Sequence, residues 1–368
     1  MFLIRKWMLA AVLCGLLSVP CAAYSAQAYA LMDADTGRVL AQENGSEQLP
    51  MASTTKIMTA LVAVESGNLD RMIEVPASCA GVEGSSMYLQ AGELLPLRDV
   101  LYGLMLSSGN DAAMCIAEIS GGQQVFVSRM NERAQEMGLT NTHFDNPSGL
   151  DGETHYTTAL ELARIASEAL QNETFRTIVG TKSYTTGTRT LVNHNKMLSR
   201  YEGAVGVKTG FTKKSGRCLV SAAERGGRTL VAVTLNDPDD WKDHAALLDS
   251  GFSQLEEKLL YPQGASVREV PVMTGMSDSV AVQTAEPVSA HVFADEVPEI
   301  VVQGAKFVYA PVKAGEVYGT LEWKSGDAVL ASCPLVYAED VALDVKQQKQ
   351  GVIERILSYF SDHSEGRK

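Results

Sequence analysis

Along the first two thirds of the chain, apolar residues recur at intervals of three and four, the spacing of an amphipathic helix. In the last third they alternate with polar ones, the spacing of a half-buried strand. The first pattern predicts helices over 53–65, within the stretch 49–65, and over 94–106, 111–118, 123–137, 158–170 and 241–260. Breaker residues mark several ends: Gly67 and Asn68 after the first helix, Pro96 near the start of the second, Gly138 after the fourth. Strands flank this helical block. Residues 28–43 read as two short strands around the turn Asp35-Thr36-Gly37, and 204–212, 217–223 and 229–236 read as three more. Residues 177–195 are β-prone without a firm assignment. Strands at both ends with helices between them imply an α/β (α+β) domain, one antiparallel sheet flanked by helices. From 265 to 337 valine alternates with polar residues in short runs broken by Pro, Gly and Asp, which predicts a small all-β domain.

Composition fits this division. A chain of 368 residues, 45% hydrophobic and 20% charged, suits two globular domains. The net charge of −13 excludes nucleic acid as a partner, because nothing builds a basic track for phosphates. Arg5 and Lys6 precede an apolar stretch over 8–19, followed by Pro20 and small residues. This is the pattern of a secretory leader, expected over 1–28, with an apolar core too short to span a bilayer comfortably. Cleavage after Ala23 or after Ala28 satisfies the small-x-small rule. Cys21 would suit a lipoprotein, but Ser18-Val19-Pro20 is a poor lead-in. Losing Arg5 and Lys6 moves the formal charge from −13 to −15, so an acidic, exported chain is expected. Cys79, Cys115, Cys218 and Cys333 show no Cys-x-x-Cys pair, so a zinc site is not expected. Cys115 and Cys218 sit in apolar runs and read as buried thiols, and the spacing leaves a disulfide among the four open, with free thiols the expectation. At the far end, Val352, Ile353, Ile356, Leu357, Tyr359 and Phe360 share a helical face near Lys346, Lys349 and Arg355. That predicts an amphipathic tail over 341–368 lying on a membrane surface.

The candidate chemistry sits in the first predicted helix. Ser53-Thr54-Thr55-Lys56 stands at its front edge, where free backbone N–H groups and the helix dipole favour a developing oxyanion. Lys56 lies three residues on, so one turn brings its amine beside the Ser53 hydroxyl; a neutral lysine there is a base for a serine nucleophile. Ser-x-x-Lys alone is a common pattern, and two further pieces give it weight. Ser108-Gly109-Asn110 forms a tight turn between two helices, and Lys208-Thr209-Gly210 lies within a strand, where Gly210 lets a ligand backbone approach. Ser66-Gly67-Asn68, Lys214-Ser215-Gly216 and Lys324-Ser325-Gly326 imitate these pieces but fall at a helix stop and at hairpin turns.

These three motifs, with the longer words LPMASTTKIMTAL, SSGNDAA, NPSGLD and GVKTGFT, resemble the serine D-alanyl-D-alanine carboxypeptidases, the low-molecular-weight penicillin-binding proteins. The likeness runs from about residue 28 to 260, and the β-domain and tail match that family's usual appendages. The resemblance implies a penicillin-binding/serine β-lactamase-like fold, with a DD-peptidase catalytic domain over 29–262 and a C-terminal β-domain over 263–340. It implies that Ser53 attacks the carbonyl between two terminal D-alanines of a peptidoglycan stem peptide, that β-lactams acylate the same serine, and that no cofactor is needed. It further implies that Lys56 is the base, its pKa depressed by a cation such as Lys208, and that Ser108 relays a proton to the leaving amine. Asn110 would hold the peptide amide, Lys208 and Thr209 the terminal carboxylate, and the backbone N–H groups of Ser53 and Phe211 the oxyanion. Phe211 stands where some relatives carry histidine. Rival readings are a serine β-lactamase, a transpeptidase and a non-catalytic wall-binding scaffold. The Glu-x-x-Leu-Asn loop of class A β-lactamases is missing, since the single Leu-Asn, Leu235-Asn236, follows Ala232.

Overall fold

The computed structural model describes residues 24–345, so residues 1–23 of the leader expected over 1–28 and residues 346–368 of the tail expected over 341–368 lie outside the described residues. The first domain is built on a five-stranded antiparallel sheet. Strands β1 (Ala28–Asp33) and β2 (Val39–Glu43) form the expected hairpin. Helix α1 (Lys56–Glu65) follows a 3-10 turn over Ala52–Thr55 and ends at Gly67 and Asn68, both in the left-handed region. Strands β3 (Met72–Glu74) and β4 (Leu94–Pro96) pair ahead of α2 (Leu97–Leu106). The helix expected from residue 94 therefore starts at 97. Proline disfavours α geometry at the residue before it, so Leu95 stays extended and Pro96 becomes the cap. Helices α3 (Asn110–Ile119), α4 (Gln123–Glu136) and α5 (Ala159–Gln171) follow the sequence reading closely. Helix α6 (Glu173–Gly180) was not expected; Asn172, which ends α5, also caps α6 by accepting from Phe175 N at 3.1 Å. The hairpin β5 (Ser183–Thr186) and β6 (Arg189–Val192) and the short α7 (Met197–Arg200) fill the unassigned stretch.

The chain then returns to the sheet with β7 (Ala204–Thr212), β8 (Gly216–Arg225) and β9 (Arg228–Leu235), giving the order β2-β1-β9-β8-β7. Helix α8 (Asp240–Phe252) covers one face through Leu247 and Leu248 against Leu31, Leu219 and Leu230. Helix α7 joins that cluster through Met197, and helices α2 to α6 pack on the opposite face around α1, which is apolar on nearly all sides and accordingly buried. Two results of this topology position the site: β7 is an edge strand, and it runs beside the turn that opens α1.

The closing helix, expected to reach residue 260, stops at Phe252. Residues 255–261 form β10 (Leu255–Tyr261), which pairs with β13 (Val288–Phe293). A six-stranded sheet contains β11 (Ser266–Met273), β12 (Ser279–Thr284), β14 (Glu299–Gly304), β15 (Val308–Tyr309), β16 (Val317–Ser325) and β17 (Ala328–Tyr337), in the order β14-β16-β17-β12-β11-β15. Val270, Val280, Val282, Leu321 and Leu335 fill its core.

Arg228 at the start of β9 links the two domains. Its guanidinium is 2% exposed, bonds Asp33 Oδ2 at 3.0 and 2.5 Å, and reaches Glu296 Oε2 at 3.1 Å. The Phe293 ring is flanked by Arg228 at 5.1 Å and Arg38 at 4.7 Å. Removing the guanidinium strands the fully buried Asp33 carboxylate, so Arg228→Ala is expected to cost about 3–5 kcal/mol in urea unfolding. A loss below about 1 kcal/mol would mean the link carries little.

Candidate active site

Ser53 does not begin the α-helix itself. It lies in the 3-10 turn before α1, and Lys56 is the first α-helical residue. The first bond of that turn runs from Thr54 N to Met51 O at 3.2 Å, which leaves the Ser53 amide uncommitted. Gly210 of β7 lies against it: a Cβ at that position would stand 3.1 Å from Ser53 N and 3.1 Å from Met51 O. The glycine thus brings the edge strand and the turn together. His155 steadies the turn from below. Its Nδ1 accepts from Asp145 N at 3.0 Å, so Nε2–H donates to the Thr55 hydroxyl at 2.8 Å, which in turn donates to Ala52 O at 2.8 Å. Burial pushes the imidazole down to about 4, so this ring is a neutral strut near neutral pH.

The Lys56 side chain is fully buried. Its Nζ lies 3.1 Å from Ser53 Oγ, 2.8 Å from Asn110 Oδ1 and 2.5 Å from Ser148 O. A neutral amine has two N–H bonds and one lone pair, which matches two fixed acceptors and one hydroxyl donor. The Lys56 pKa is driven well below its ordinary value. Burial is the largest cause, the Lys208 cation the second, and Asp111 opposes both. Desolvation thus outweighs the neighbouring cation that the resemblance implies as the cause.

Asn110 is held on three sides: its N donates to Ser85 O at 2.7 Å, its Nδ2 to Glu83 O at 2.7 Å, and its Oδ1 faces Lys56. Asp111 next to it accepts from Met87 N, Leu89 N and Ser86 Oγ, fixing the 83–89 loop over the turn. Ser108 has a left-handed backbone, φ +57°, a costly conformation for serine, and its hydroxyl faces the cleft. Lys208 is buried too and sits at about 7, desolvation being the cause. Its Nζ donates to Thr209 O at 2.9 Å.

Ser53, Ser108, Thr209, Gly210 and Phe211 line one cleft of about 400 Å³, with Lys56, Asn110 and Lys208 behind its walls. The structure therefore brings every residue singled out from the sequence to one place. Phe211 is 65% exposed at the rim. Sequence reasoning gave no role to Ser85, His194, Lys196, Arg217 and Trp241, which share the lining, or to Ser148, whose carbonyl holds Lys56. Only Ser148 had a visible signal, the NPSGLD word. There Asn146 Oδ1 gathers the amides of Ser148, Gly149 and Leu150 into a turn.

Gly149 makes that turn possible. Its φ is +89°, and a Cβ would fall 2.0 Å from Ala52 O and 2.9 Å from Ser53 N. Gly149→Ala is expected to displace the nucleophile turn and slow acylation by a fluorescent penicillin about 100-fold, with the far-UV circular dichroism unchanged. Labelling at the original rate would show that the turn tolerates the methyl group.

Sheet, helices and cleft together define a class: serine peptidases of the penicillin-binding kind, in which an amine stands where a histidine base is more usual. Comparison with known proteins narrows it. Residues 17–239 match the family described as D-alanyl-D-alanine carboxypeptidase, and 255–343 match the C-terminal domain of penicillin-binding protein 5. The D-alanyl-D-alanine carboxypeptidase DacF of Bacillus subtilis is 35% identical over 87% of this chain and 86% of its own length. DacD of Salmonella typhimurium is 30% identical over 92% of this chain and 90% of its own length. Among solved structures, penicillin binding protein 5 from Haemophilus influenzae covers 87% of this chain and 98% of its own, with TM-score 0.61 and 29% identity. The Streptomyces K15 DD-transpeptidase covers 63% of this chain and 98% of its own, with TM-score 0.61 and 35% identity. The chain belongs to the D-alanyl-D-alanine carboxypeptidase family of serine peptidases.

Proposed function

We propose that the chain is exported and removes the terminal D-alanine from peptidoglycan stem pentapeptides through an acyl-enzyme on Ser53. The observation that carries this is the coordination of Lys56, a buried amine with two fixed acceptors and its remaining contact on Ser53 Oγ. Lys56 takes the serine proton, and Ser108, on the opposite wall, passes a proton to the leaving amine. Asn110 and the β7 edge align the peptide, while Lys208 and Thr209 receive its free carboxylate. Gly210 keeps that edge against the nucleophile turn, so the peptide on β7 lies beside Ser53. The Ser53 and Phe211 amides hold the oxyanion, a role that the change to phenylalanine leaves intact.

The test pairs two readouts: covalent labelling by a fluorescent penicillin, and mass detection of D-alanine released from a defined pentapeptide. Both are expected. Labelling without released D-alanine would favour transpeptidation, and absence of both would refute the reading. Because Asp240, the carboxylate lining the cleft among the described residues, is tied to Arg217 at 2.8 Å, no free carboxylate stands ready to drive water onto the ester as the glutamate of a class A β-lactamase does, and deacylation falls to Lys56. The penicilloyl adduct is therefore expected to outlast the assay on a denaturing gel, against a β-lactamase, which would lose it within seconds.

We also assign the segment 345–368 to a membrane surface. No helix among the described residues is long and apolar enough to cross a membrane. Deleting 346–368 is expected to abolish co-sedimentation with anionic vesicles; unchanged binding would refute the assignment.

A further inference from the structure

Two carboxylates at the start of α8 are buried without a cation. Asp237 is 0% and Asp243 6% exposed, and neither forms an ion pair among the described residues. Asp240 between them has its own partner in Arg217. Instead the pair grips Ser25, more than two hundred residues away in sequence. Ser25 N donates to Asp243 Oδ2 at 2.5 Å, and Ser25 Oγ lies 2.6 Å from Asp237 Oδ1 and 2.9 Å from Asp243 Oδ2. A hydroxyl has one hydrogen, so it cannot serve both carboxylates at once. Asp237 Oδ2 has no partner within hydrogen-bond distance, and the Thr234 hydroxyl, which meets His244 Nε2 at 2.9 Å, gives Asp237 a weak neutral contact in place of a cation. Burial and the neighbouring Asp243 raise the Asp237 pKa, a sign that positive charge is lacking.

The chain around Ser25 is part of the fold. The Tyr24 ring packs edge-on against Tyr29 at 4.8 Å, Tyr24 and Ala26 lie on the apolar cluster containing Leu247, and Gln27 N donates to Asn236 O at 3.2 Å. Of the two cleavage points that the sequence allows, the one after Ala28 would discard all of these contacts. It would also strip the first residue from β1 and leave Asp237 and Asp243 empty. The one after Ala23 keeps them and sets a new amino group one residue from the Ser25 amide, about 3.8 Å along the chain between Cα atoms.

We propose that export processing hydrolyses the Ala23–Tyr24 bond and that the α-ammonium so created on Tyr24 is the cation that Asp237 and Asp243 are placed to hold. A leader-cleaving endopeptidase supplies the catalysis and water the atoms: the water oxygen joins the Ala23 carbonyl carbon, which leaves as a carboxylate, and both water hydrogens go to the Tyr24 nitrogen, which becomes an ammonium. The cut is therefore also a folding step, since it completes the charge balance at the start of α8. The inference rests on export and not on catalysis, which penicillin labelling reports separately.

Intact mass of the exported protein should place Tyr24 first. A chain with two extra glycines before Tyr24, which carry the ammonium away, should melt about 2–4 °C lower than one starting at Tyr24. In the Asp237→Asn/Asp243→Asn background that difference should vanish, as for any coupled pair. A mature chain beginning elsewhere, equal melting of the two chains at pH 7, or a difference that survives in the double variant would each overturn the proposal. The first two measurements stand even if the double variant folds poorly.

Discussion

Ser53→Ala is expected to lower D-alanine release by about 10⁵-fold or more and to abolish covalent penicillin labelling, with little change in stability. The size follows from the route: without the hydroxyl no ester forms, and only binding and the polarised carbonyl remain to assist water. The stability half of the expectation follows from position. Ser53 is half-buried at the cleft floor, and its Oγ contacts Lys56, which keeps Asn110 Oδ1 and Ser148 O when the serine is lost. That makes this variant cleaner than Lys56→Met, which would leave the same two acceptors buried and unpartnered and confuse lost catalysis with lost folding. Label that persists in Ser53→Ala would remove the nucleophile assignment. A matching drop in Tm would show that the serine supports the turn, a role its contacts do not suggest.

The nucleophile pair was legible because its logic is local: three residues of helical turn set Ser53 and Lys56 at 3.1 Å whatever surrounds them. The Ser108 and Lys208 pieces could be recognised by resemblance, and the sheet could be inferred from strands at both ends of the domain. What stayed hidden depends on long-range contact. Ser148 serves through its backbone carbonyl, which no residue type advertises, and Arg217 enters the cleft because β8 pairs Arg217 with Phe211. Helix α6 was obscured by β-branched Thr177, Ile178 and Val179, residues of poor intrinsic helix preference, which the burial of Phe175, Ile178 and Val179 against the core outweighs. The closing helix was drawn too long for a related reason. Leucines at 255, 259 and 260 fit either period, and pairing with β13 decides for a strand.

Lys208 is where catalysis and stability are expected to pull apart. Its ammonium is buried beside a second lysine, with a single carbonyl, that of Thr209, as hydrogen-bond partner, and burial holds it at about 7. An unfolded lysine titrates near about 10.4, so between these two values the unfolded chain binds more protons than the folded one, and stability rises with pH. Below about 7 both forms are charged and the whole penalty is present, about 4 kcal/mol at pH 7 as an order of magnitude. Lys208→Met should therefore raise Tm at pH 6–7, with the gain shrinking toward pH 10, while kcat/KM falls about 10²–10³-fold for want of a cation facing the substrate carboxylate. The same residue shapes the activity profile. Lys56 must be neutral and Lys208 charged, so kcat/KM should rise as pH passes the depressed Lys56 value and fall through about 7 as Lys208 loses its proton. Bound carboxylate holds that proton, which moves the falling limb of kcat to higher pH. Lys208→Arg, charged at every working pH, should remove the falling limb altogether even if its larger head lowers the maximum. A falling limb unchanged in Lys208→Arg would assign it to another group, and a Lys208→Met chain no more stable than the parent at pH 6 would mean that this lysine reaches solvent and carries no buried charge for the substrate to meet.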